Sequence, residues 1–379
     1  MAHKNYKICK NCVMDTTDPQ IIFDNNGLCD HCNNFYEHTL PNWQNDENGL
    51  KKLYKKAEEI KKSNKNKDFD CIIGMSGGID SSYLTYIVKD QLNLRPLVFH
   101  VDAGWNSDIA VNNIERIVDG LNLDLFTEVI NWNEMKDLQL SFFKSGVSHI
   151  DAPQDHAFFA TMYKFATKYK VNNILTGANL STECVRNPLD WMYYQSDSIQ
   201  LRDIQSRYGT LSLETFPLTS ILWHKVLLPF FYKIKVLRPL NYINYIKEDA
   251  KNTLVNKFKW EPYAQKHFES RFTKFYESYW LPERFGYDVR KVQYSSLILT
   301  NQMKRREALQ MLEEPSYNKE TIDRDIDFVC NKLEINRSTF NDYFNLPIKK
   351  YSDYKNQKYI YDIGAFFMKI LKLEIGGKR

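Results

Sequence analysis

The sequence predicts an α/β protein: a mostly parallel sheet with helices on both faces, an N-terminal zinc ribbon and a helical C-terminal region. Three observations support this fold class. Strand-like runs alternate with helical patterns over residues 67–245. Two pairs of cysteines lie within the first 32 residues. Over residues 246–379, apolar and charged residues recur mainly at helical spacing.

Composition restricts the function classes. The chain has 379 residues with 43% hydrophobic and 26% charged residues, which is typical of a soluble globular protein of two or three domains. A net charge of +4 suits a protein that handles anions such as nucleotides, but it is small for a nucleic-acid-binding domain. The start lacks the apolar segment of a secretory signal, and the longest apolar run, Val226 to Tyr232, is too short to span a bilayer. We therefore expect a cytoplasmic protein without a membrane span, and we do not expect nucleic acid as a partner.

Residues 1–45 predict a zinc module with four cysteine ligands. These would be Cys9, Cys12, Cys29 and Cys32, two C-x2-C pairs separated by sixteen residues. Disulfides are not expected in a reducing compartment, and four thiolates at this spacing can surround one Zn²⁺. The segment is too short to bury its own core, which favours a structural role for the metal. An iron–sulfur cluster and four unrelated thiols are the alternatives, and we interpret His31 as a bystander.

Residues 46–66 predict a linker helix. Leu50, Leu53, Tyr54, Ala57 and Ile60 recur at helical spacing, and the opposite face is rich in lysine, as expected for a solvent-exposed surface. The polar run "NKNKD" then ends the helix, so we place a domain boundary near residue 67.

Residues 67–245 predict the α/β domain. The segment "FDCIIG" has the composition of a buried strand, and "RPLVFHV", "DLFTEVI" and "VNNILTGA" have the composition of further strands; helical patterns separate them. This alternation implies a parallel sheet covered on both faces. Ligands of such sheets bind at the carboxyl ends of the strands, so the loops that follow the strands are the candidate site.

The loop "GMSGGIDSS" follows the first strand and opens a helix. Gly77 and Gly78 let the backbone approach an anion closely, and the amides at a helix N-terminus attract one. Hydroxyl donors in the loop are Ser76, Ser81 and Ser82. Asp80 is negative, so we expect it to act through Mg²⁺ or by bonding backbone amides.

The loop excludes two common nucleotide motifs. Ile79 stands after the glycine pair, where a P-loop requires lysine, and the G-x-G-x-x-G pattern is absent. The loop instead contains S-G-G-x-D-S and resembles the PP-loop ATP pyrophosphatase (adenine nucleotide α-hydrolase-like) superfamily. The resemblance implies that ATP is cleaved between its α and β phosphates and that the loop holds the departing pyrophosphate. It also implies catalytic roles for Ser76 and Asp80.

The same resemblance extends the predicted ATP site to other strand ends. The segment "FHVDAGW" would lie near the adenine and ribose, and "LTGANLSTE" would lie at the level of the nucleotide. The basic segment "LRPL" would close over the phosphates, although a surface salt bridge is an equal alternative for its arginine. The predicted ATP-binding residues are Met75, Ser76, Gly77, Gly78, Asp80, Ser81, Ser82, His100, Val101, Asp102, Gly177 and Arg238.

Longer segments narrow the family. "APQDHAFFATMYKFA", "TGANLSTECV" and "SSLILTNQMKRREAL", together with the region around "HFESRF" and the cysteine pattern, resemble N-acetyl sugar amidotransferases of bacterial surface-polysaccharide and flagellin-glycan biosynthesis. The resemblance covers nearly the whole chain. It implies an AMP-forming enzyme that converts an acetamido group of a nucleotide-activated sugar into an acetamidino group, in lipopolysaccharide, O-antigen or related glycan biosynthesis.

Such a reaction needs ammonia, which is scarce and mostly protonated near neutral pH. No cysteine stands in a recognised glutaminase motif, and the opening "MAHK" offers no N-terminal cysteine nucleophile. We therefore expect a separate glutaminase subunit, which the resemblance also implies. Exposed faces of the zinc module or of the C-terminal helices are candidate docking surfaces.

Three polar segments supply candidate sugar ligands. The segment "HIDAPQDHAFF" could bind Mg²⁺, orient sugar hydroxyls or accept a proton from ammonia, although helix capping by Asp151 or Asp155 is the alternative. Arg186 could pair with a carboxylate or diphosphate. The candidates are His149, Asp155, His156, Glu183, Arg186, His267 and Arg271.

Two other functions stay open at this point. A tRNA-thiolating PP-loop enzyme would also combine a zinc module with this loop, and Cys184 could carry sulfur, but the small net charge argues against it. A zinc-ribbon scaffold with an inactive nucleotide loop is the second alternative, against which the intact loop argues. The sequence does not specify the sugar, its acetamido carbon or the oligomeric state.

Overall fold

The predicted parallel sheet is confirmed. The computed structural model describes residues 6–370, so the first five and the last nine residues, in the predicted zinc module and C-terminal region, lie outside it. Within the described residues, five parallel strands form a sheet in the order β3-β2-β1-β4-β5. The strands are β1 (Cys71–Gly74), β2 (Pro96–Asp102), β3 (Asp124–Val129), β4 (Asn173–Leu175) and β5 (Lys235–Leu237).

Helices connect the strands and form the C-terminal region. The first nine α-helices are α1 (Asp30–Asn34), α2 (Glu47–Ser63), α3 (Ile79–Tyr86), α4 (Asp108–Leu121), α5 (Trp132–Ser145), α6 (Ala152–Lys168), α7 (Leu180–Glu183), α8 (Ser198–Tyr208) and α9 (Lys247–Phe258). The others are α10 (Arg271–Phe275), α11 (Leu281–Phe285), α12 (Arg290–Leu299), α13 (Arg305–Glu313), α14 (Ile322–Leu333), α15 (Arg337–Phe344) and α16 (Lys358–Ile370). π-helical segments are Phe35–Thr39, Ile87–Gln91, Trp223–Phe231 and Tyr276–Trp280. Short 3₁₀ segments are Leu40–Asn42, Pro239–Tyr242 and Tyr351–Asp353.

The central strands β1, β2 and β4 are buried because they carry apolar residues at successive positions, whereas the edge strands β3 and β5 are mostly exposed. Ile72 and Phe99 face a core that includes residues of α5 and α6. Their neighbours Ile73 and Val98 face cores on the other side, built with residues of α3, α4 and α9. Helix α9 therefore packs on the sheet domain, although the sequence analysis assigned it to the C-terminal region. The domain boundaries stay predictions.

The strand order places a topological switch between β1 and β4. Strands β2 and β3 lie on one side of β1, and β4 and β5 lie on the other, so the loops after β1 and β4 diverge around a crevice. The two loops touch: a Cβ on Gly177 would lie 2.8 Å from the backbone carbonyl carbon of Asp80. A residue with a side chain at position 177 would push the loops apart.

Helix α8 is shorter than the sequence pattern around it. The sequence of residues 188–209 predicts a helix with a turn at Gly209, but only Ser198–Tyr208 is helical. Asp197 begins the helix by accepting hydrogen bonds from the amides of Ile199 and Gln200 at 3.0 and 3.1 Å. The preceding residues pack elsewhere, since Trp191 is buried, stacks on Tyr287 and donates to the carbonyl of Thr17 in the cysteine module.

The four N-terminal cysteines form a compact group. Their Sγ atoms all lie within 4.8 Å of one another, at Cys9, Cys12, Cys29 and Cys32. The shortest separations are 3.5 to 3.7 Å, and a tetrahedral zinc site with bonds of about 2.3 Å requires about 3.8 Å between its sulfurs. A multinuclear iron–sulfur cluster needs its thiolates farther apart, so the geometry fits a single ion better. His31 lies outside this group, with Nε2 3.1 Å from Asp18 Oδ2.

The cysteine module is fixed to the C-terminal region. Arg305 on α13 donates hydrogen bonds to the carbonyl oxygens of Cys9 (2.8 Å) and Cys12 (3.0 Å). The amide of Val13 donates to Ser295 Oγ on α12 at 3.2 Å. One face of the module is therefore covered by helices α12 and α13 and cannot receive a partner protein.

The longest apolar run in the sequence lies at the surface. Phe230 and Phe231, at the end of the π-helical segment Trp223–Phe231, are each 73% exposed. Within residues 6–370, none of the helices combines the length and the apolar character that crossing a bilayer would require. The run therefore presents aromatic side chains without forming a span.

We predict that the purified chain binds one Zn²⁺ and that Cys12→Ser loses it, because three thiolates and a hydroxyl hold Zn²⁺ poorly. Metal analysis of the purified protein measures this, and Cys330→Ser, which removes a buried thiol outside the group, is the matched control. Stoichiometric iron with a brown absorbance band, or retention of zinc in Cys12→Ser, would contradict the zinc assignment.

Candidate active site

A cavity of about 580 Å³ opens at the carboxyl ends of β1, β2 and β4. Its walls are the loop after β1, the first half of α6, the loop after β4 and residues 260–277 of the C-terminal region. This is the position predicted for a ligand of a parallel sheet. From the C-terminal wall the sequence analysis predicted His267, and the wall also supplies the charged residues Lys266, Glu269 and Glu277.

The loop after β1 has the geometry of an anion site. Gly78 precedes α3 without a side-chain cap, so the first amides of the helix are not satisfied by a side chain. Gly77 adopts a φ of +82°, and a Cβ there would lie 2.6 Å from the carbonyl oxygen of Ala110. Both the conformation and the close approach require glycine at position 77.

Residues of the C-terminal region form hydrogen bonds to the backbone of this loop. The carbonyl oxygen of Gly77 accepts hydrogen bonds from Trp260 Nε1 at 3.1 Å and from the Tyr263 hydroxyl at 3.3 Å. Between these residues, Glu261 exchanges two backbone hydrogen bonds of 2.8 Å with the side chain of Asn113 on α4. The conformation of the loop therefore depends on residues nearly two hundred positions away.

Asp80 connects the loop to three other segments. Its Oδ1 accepts hydrogen bonds from the Tyr245 hydroxyl (2.6 Å) and from Asn179 Nδ2 (3.1 Å), and its Oδ2 lies 3.2 Å from Lys266 Nζ. Burial would raise the pKa of Asp80, but the Lys266 charge and the Tyr245 hydroxyl hold it below its usual value. Asp80 thus bonds side chains rather than backbone amides.

Lys266 bridges two carboxylates. Its Nζ lies 2.6 Å from Glu183 Oε1 and 3.2 Å from Asp80 Oδ2, and only 8% of its side chain is exposed. Burial opposes the charge, but Asp80 and Glu183 raise the pKa of Lys266 above its usual value. Two carboxylates that converge on one cation also suit Mg²⁺, so these residues fit the predicted metal when the ammonium moves aside.

Glu269 places a carboxylate on the anion loop. Its Oε1 lies 3.1 Å from Ser76 Oγ, and a Cβ on Gly78 would lie 2.7 Å from the same oxygen. Its backbone is fixed because the Ser107 amide donates to its carbonyl at 2.9 Å. In this structure a short segment therefore puts a cation on the Asp80–Glu183 pair and an anion in the loop, as Mg²⁺ and pyrophosphate would.

Acidic and histidine side chains line the opposite half of the cavity, which we call the acid–histidine chamber (His149, Asp151, Asp155, His267 and Glu277). Asp151 is 2% exposed and accepts a hydrogen bond from Thr273 Oγ1 at 2.7 Å. Burial, reinforced by the charge of Asp155, raises the pKa of Asp151 well above its usual value. The Asp151 carboxyl group is therefore favoured in its protonated form.

The two histidines of the chamber have different partners. His149 Nδ1 lies 3.2 Å from the carbonyl oxygen of Tyr193 and so carries a proton, which directs Nε2 toward Asp155 Oδ2 at 3.3 Å. His267 Nδ1 lies 2.9 Å from Glu277 Oε1. Burial lowers the pKa of His267, but Glu277 outweighs it and raises the pKa to about 9. His267 is therefore cationic at neutral pH.

The structure brings most of the predicted ATP-binding residues together. Those that line the cavity are Met75, Ser76, Gly78, Asp80, Ser81, His100, Val101 and Gly177. His100 is oriented by a hydrogen bond of 2.8 Å from Nδ1 to the Met75 carbonyl. Gly77 and Ser82 belong to the loop without lining the cavity, and among the described residues Asp102 and Arg238 also stand outside the lining. Arg238 is exposed, at the end of the edge strand β5.

Some of the residues predicted to bind the sugar line the cavity, and others lie outside it. His149, Asp155, Glu183 and His267 line the cavity. His156 is buried behind it, accepts a hydrogen bond from the Thr219 amide at 3.0 Å, and burial lowers its pKa to about 4. Arg271 packs on the Phe328 ring at 3.2 Å, and Arg186 is exposed outside the lining.

Several site residues were missed by the sequence analysis. They are Asn179, Tyr245, Lys247 and Lys266. The sequence did contain a signal for a lysine in the site, because a phosphate loop without its own lysine needs a cation from elsewhere in the chain. Lys266 stands next to "HFESRF", which had been singled out for its histidine and arginine.

A family comparison agrees with this architecture. Residues 269–369 match the family model described as the C-terminal domain of WbpG-like lipopolysaccharide biosynthesis proteins. We call residues 269–369, which are similar to that model, the WbpG-like domain. The WbpG-like domain begins at Glu269, the residue whose carboxylate lies on the anion loop, and the match confirms the family resemblance drawn from the sequence. No curated protein matches the chain.

Solved structures give weaker likenesses. The NH3-dependent NAD synthetase of Campylobacter jejuni is 16% identical, with 71% of this chain and 99% of that chain covered and a TM-score of 0.30. The U34-tRNA thiolase NcsA of Methanococcus maripaludis is 13% identical, with coverage of 83% and 90% and a TM-score of 0.29. The NMN synthetase of Francisella tularensis is 16% identical, with coverage of 60% and 91% and a TM-score of 0.28. At these TM-scores the likenesses carry no argument about this chain.

We predict that Glu269→Gln tightens the binding of pyrophosphate in the absence of Mg²⁺ by about tenfold, or about 1.4 kcal/mol, because a like charge leaves the anion loop. Isothermal titration calorimetry measures the change. Glu261→Gln is the matched control, since Glu261 pairs with Arg116 and does not line the cavity. Unchanged or weaker binding by Glu269→Gln would show that its carboxylate does not compete for the loop.

Proposed function

We propose that this protein is a cytoplasmic, AMP-forming amidotransferase that uses ATP to convert an acetamido group of a nucleotide-activated sugar into an acetamidino group. Its pathway would be lipopolysaccharide, O-antigen or related glycan biosynthesis. The proposal is carried by one observation: the anion loop and the acid–histidine chamber face a single cavity of about 580 Å³. The WbpG-like domain supports the sugar substrate, because it contributes the cavity wall from Glu269 to Glu277.

The first step, transfer of AMP to the acetamide oxygen, would take place beside the loop after β1. The acetamide oxygen attacks the α-phosphate of ATP, the bond between the α and β phosphates breaks, and pyrophosphate leaves. The amides after Gly78 and the hydroxyl of Ser76 would hold the departing anion, with Lys247 and Lys266 as nearby cations. Mg²⁺, when bound by Asp80 and Glu183, would supply further charge neutralisation.

The second half belongs to the acid–histidine chamber. Ammonia adds to the imidate carbon, the bond from that carbon to the adenylate oxygen breaks, and AMP leaves with the former acetamide oxygen. The incoming nitrogen must lose one proton, which leaves the product as the acetamidinium cation. We assign the acceptance of this proton to the pair of His149 and Asp155, whose Nε2 and Oδ2 atoms are 3.3 Å apart.

Ammonia would come from a separate glutaminase. Among the described residues, no cysteine lines the cavity, so that part of the chain offers no thiol nucleophile for glutamine hydrolysis at this site. The face of the zinc module opposite Arg305 and the exposed C-terminal helices are the surfaces left for such a subunit.

We predict that ATP, ammonium and a UDP-N-acetyl sugar together yield AMP, pyrophosphate and a sugar whose mass falls by the difference between O and NH. Chromatography and mass spectrometry detect all three products. Ser76→Ala should lower the rate about 100-fold, because one donor to the developing charge is lost. Ser63→Ala, at the end of α2 and far from the cavity lining, is the matched control. Absence of AMP with every acetamido sugar tested would refute the proposed activity.

The tRNA-thiolation alternative makes a different prediction at Cys184. Cys184 Sγ lies 3.7 Å from the Ser296 carbonyl, stands outside the cavity lining, and burial raises its pKa to about 12. A thiol with such a pKa is almost wholly protonated at neutral pH and is a poor sulfur carrier. We therefore expect Cys184→Ala to keep full AMP-forming activity and the chain to bind no tRNA in a filter assay. Loss of activity together with tRNA binding would favour thiolation.

A further inference from the structure

An exposed apolar surface lies outside the active site. We call it the aromatic patch, and its members are Leu222, Val226, Phe230, Phe231, Tyr232 and Val236. Leu222, Val226 and Phe230 follow one another at intervals of four residues, so they form one stripe along the helical segment. The opposite side of the segment is anchored, since Ile221 and Leu228 are buried. The patch is therefore a firmly held surface and not a frayed end.

The charge around the patch has one sign. From Thr215 to Lys247 the sequence contains no acidic residue. Lys225, Lys233 and Lys235 are exposed beside the patch, and within residues 6–370 none of the three forms an ion pair. The segment that carries the aromatic patch and its lysines therefore contributes no compensating negative charge.

We propose that the aromatic patch docks the protein on a bilayer surface that contains anionic lipid. Aromatic side chains enter the boundary between headgroups and acyl chains, while flanking lysines meet anionic headgroups. A protein partner is the poorer match, because the cores of protein interfaces are enriched in aromatic residues but depleted in lysine. The run is too short to span a bilayer, which leaves attachment to one leaflet.

Such docking would orient the active site. Trp223 and His224 in the same segment pack against Tyr163 on α6, with ring centroids 6.5 and 4.7 Å apart. Helix α6 in turn lines the cavity through Phe158 and Phe159. The wall of the cavity that α6 forms would therefore lie near the membrane surface. The proposed reaction itself does not require membrane attachment.

The test is flotation of the full chain with vesicles of phosphatidylcholine, with and without phosphatidylglycerol. We expect binding only with phosphatidylglycerol and weaker binding at high salt, because exposed charges are screened. Phe230→Ser with Phe231→Ser should lower the partition coefficient about tenfold or more, and Lys233→Glu with Lys235→Glu should abolish the lipid preference. Ile348→Ser with Met311→Ser, which removes two exposed apolar residues elsewhere, is the matched control.

Several outcomes would overturn the proposal. Equal binding to both vesicle types, or no effect of the double phenylalanine variant, would show that the patch does not recognise anionic lipid. A change in oligomeric state with unaltered flotation would identify a contact between copies of this chain. Because all four substituted residues are exposed, an unchanged melting temperature is expected and separates loss of docking from loss of folding.

Discussion

The contact of Lys266 with Asp80 and Glu183 is the interaction on which the active site depends. The loop after β1 lacks a lysine of its own, yet it requires positive charge to hold a polyphosphate. The chain supplies that charge from a segment more than 180 residues later, and the ammonium is buried between two carboxylates that come from the loops after β1 and β4. Removing one partner of such a group leaves an uncompensated buried charge, which costs about 3–5 kcal/mol. The charge balance of Asp80 and Glu183 therefore depends on the docking of the C-terminal region.

The same segment also places two charged side chains against the loops of the site. Lys266 compensates the acidic pair, and Glu269 occupies the anion loop beside Ser76. His267, between them, adopts a φ of +67°, a conformation that costs about 1–3 kcal/mol for a residue other than glycine. A phosphate group in the loop would be repelled by the carboxylate of Glu269, which lies two residues after the strained backbone of His267.

The sequence predicts what local patterns determine and misses what distant segments bring together. The cysteine pairs, the glycine loop and the alternation of strands and helices are each readable within about 30 residues, and each is where it was expected. Asp155 and His156 show the limit, because they are adjacent on α6 and differ by about 100° around the helix. The first faces the cavity and the second faces the core, a distinction set by packing against residues 195 and 219. Tyr245 and Lys266 carry no local motif, so only the tertiary structure reveals their contacts with Asp80.

A continuous chain of contacts connects the cysteine module to the acidic pair. Arg305 joins the carbonyls of the first cysteine pair, Cys9 and Cys12, to α13, and α13 packs against α12. Helix α12 holds α7 through Thr300, whose hydroxyl donates to the Ser181 carbonyl at 2.7 Å, and α7 ends with Glu183. A metal that fixes the module would therefore also fix the position of a carboxylate that pairs with Lys266. The metal site can therefore matter to the loop although none of its cysteine ligands lines the cavity. The cysteine module supports helix α7, which carries the Glu183 carboxylate that pairs with Lys266.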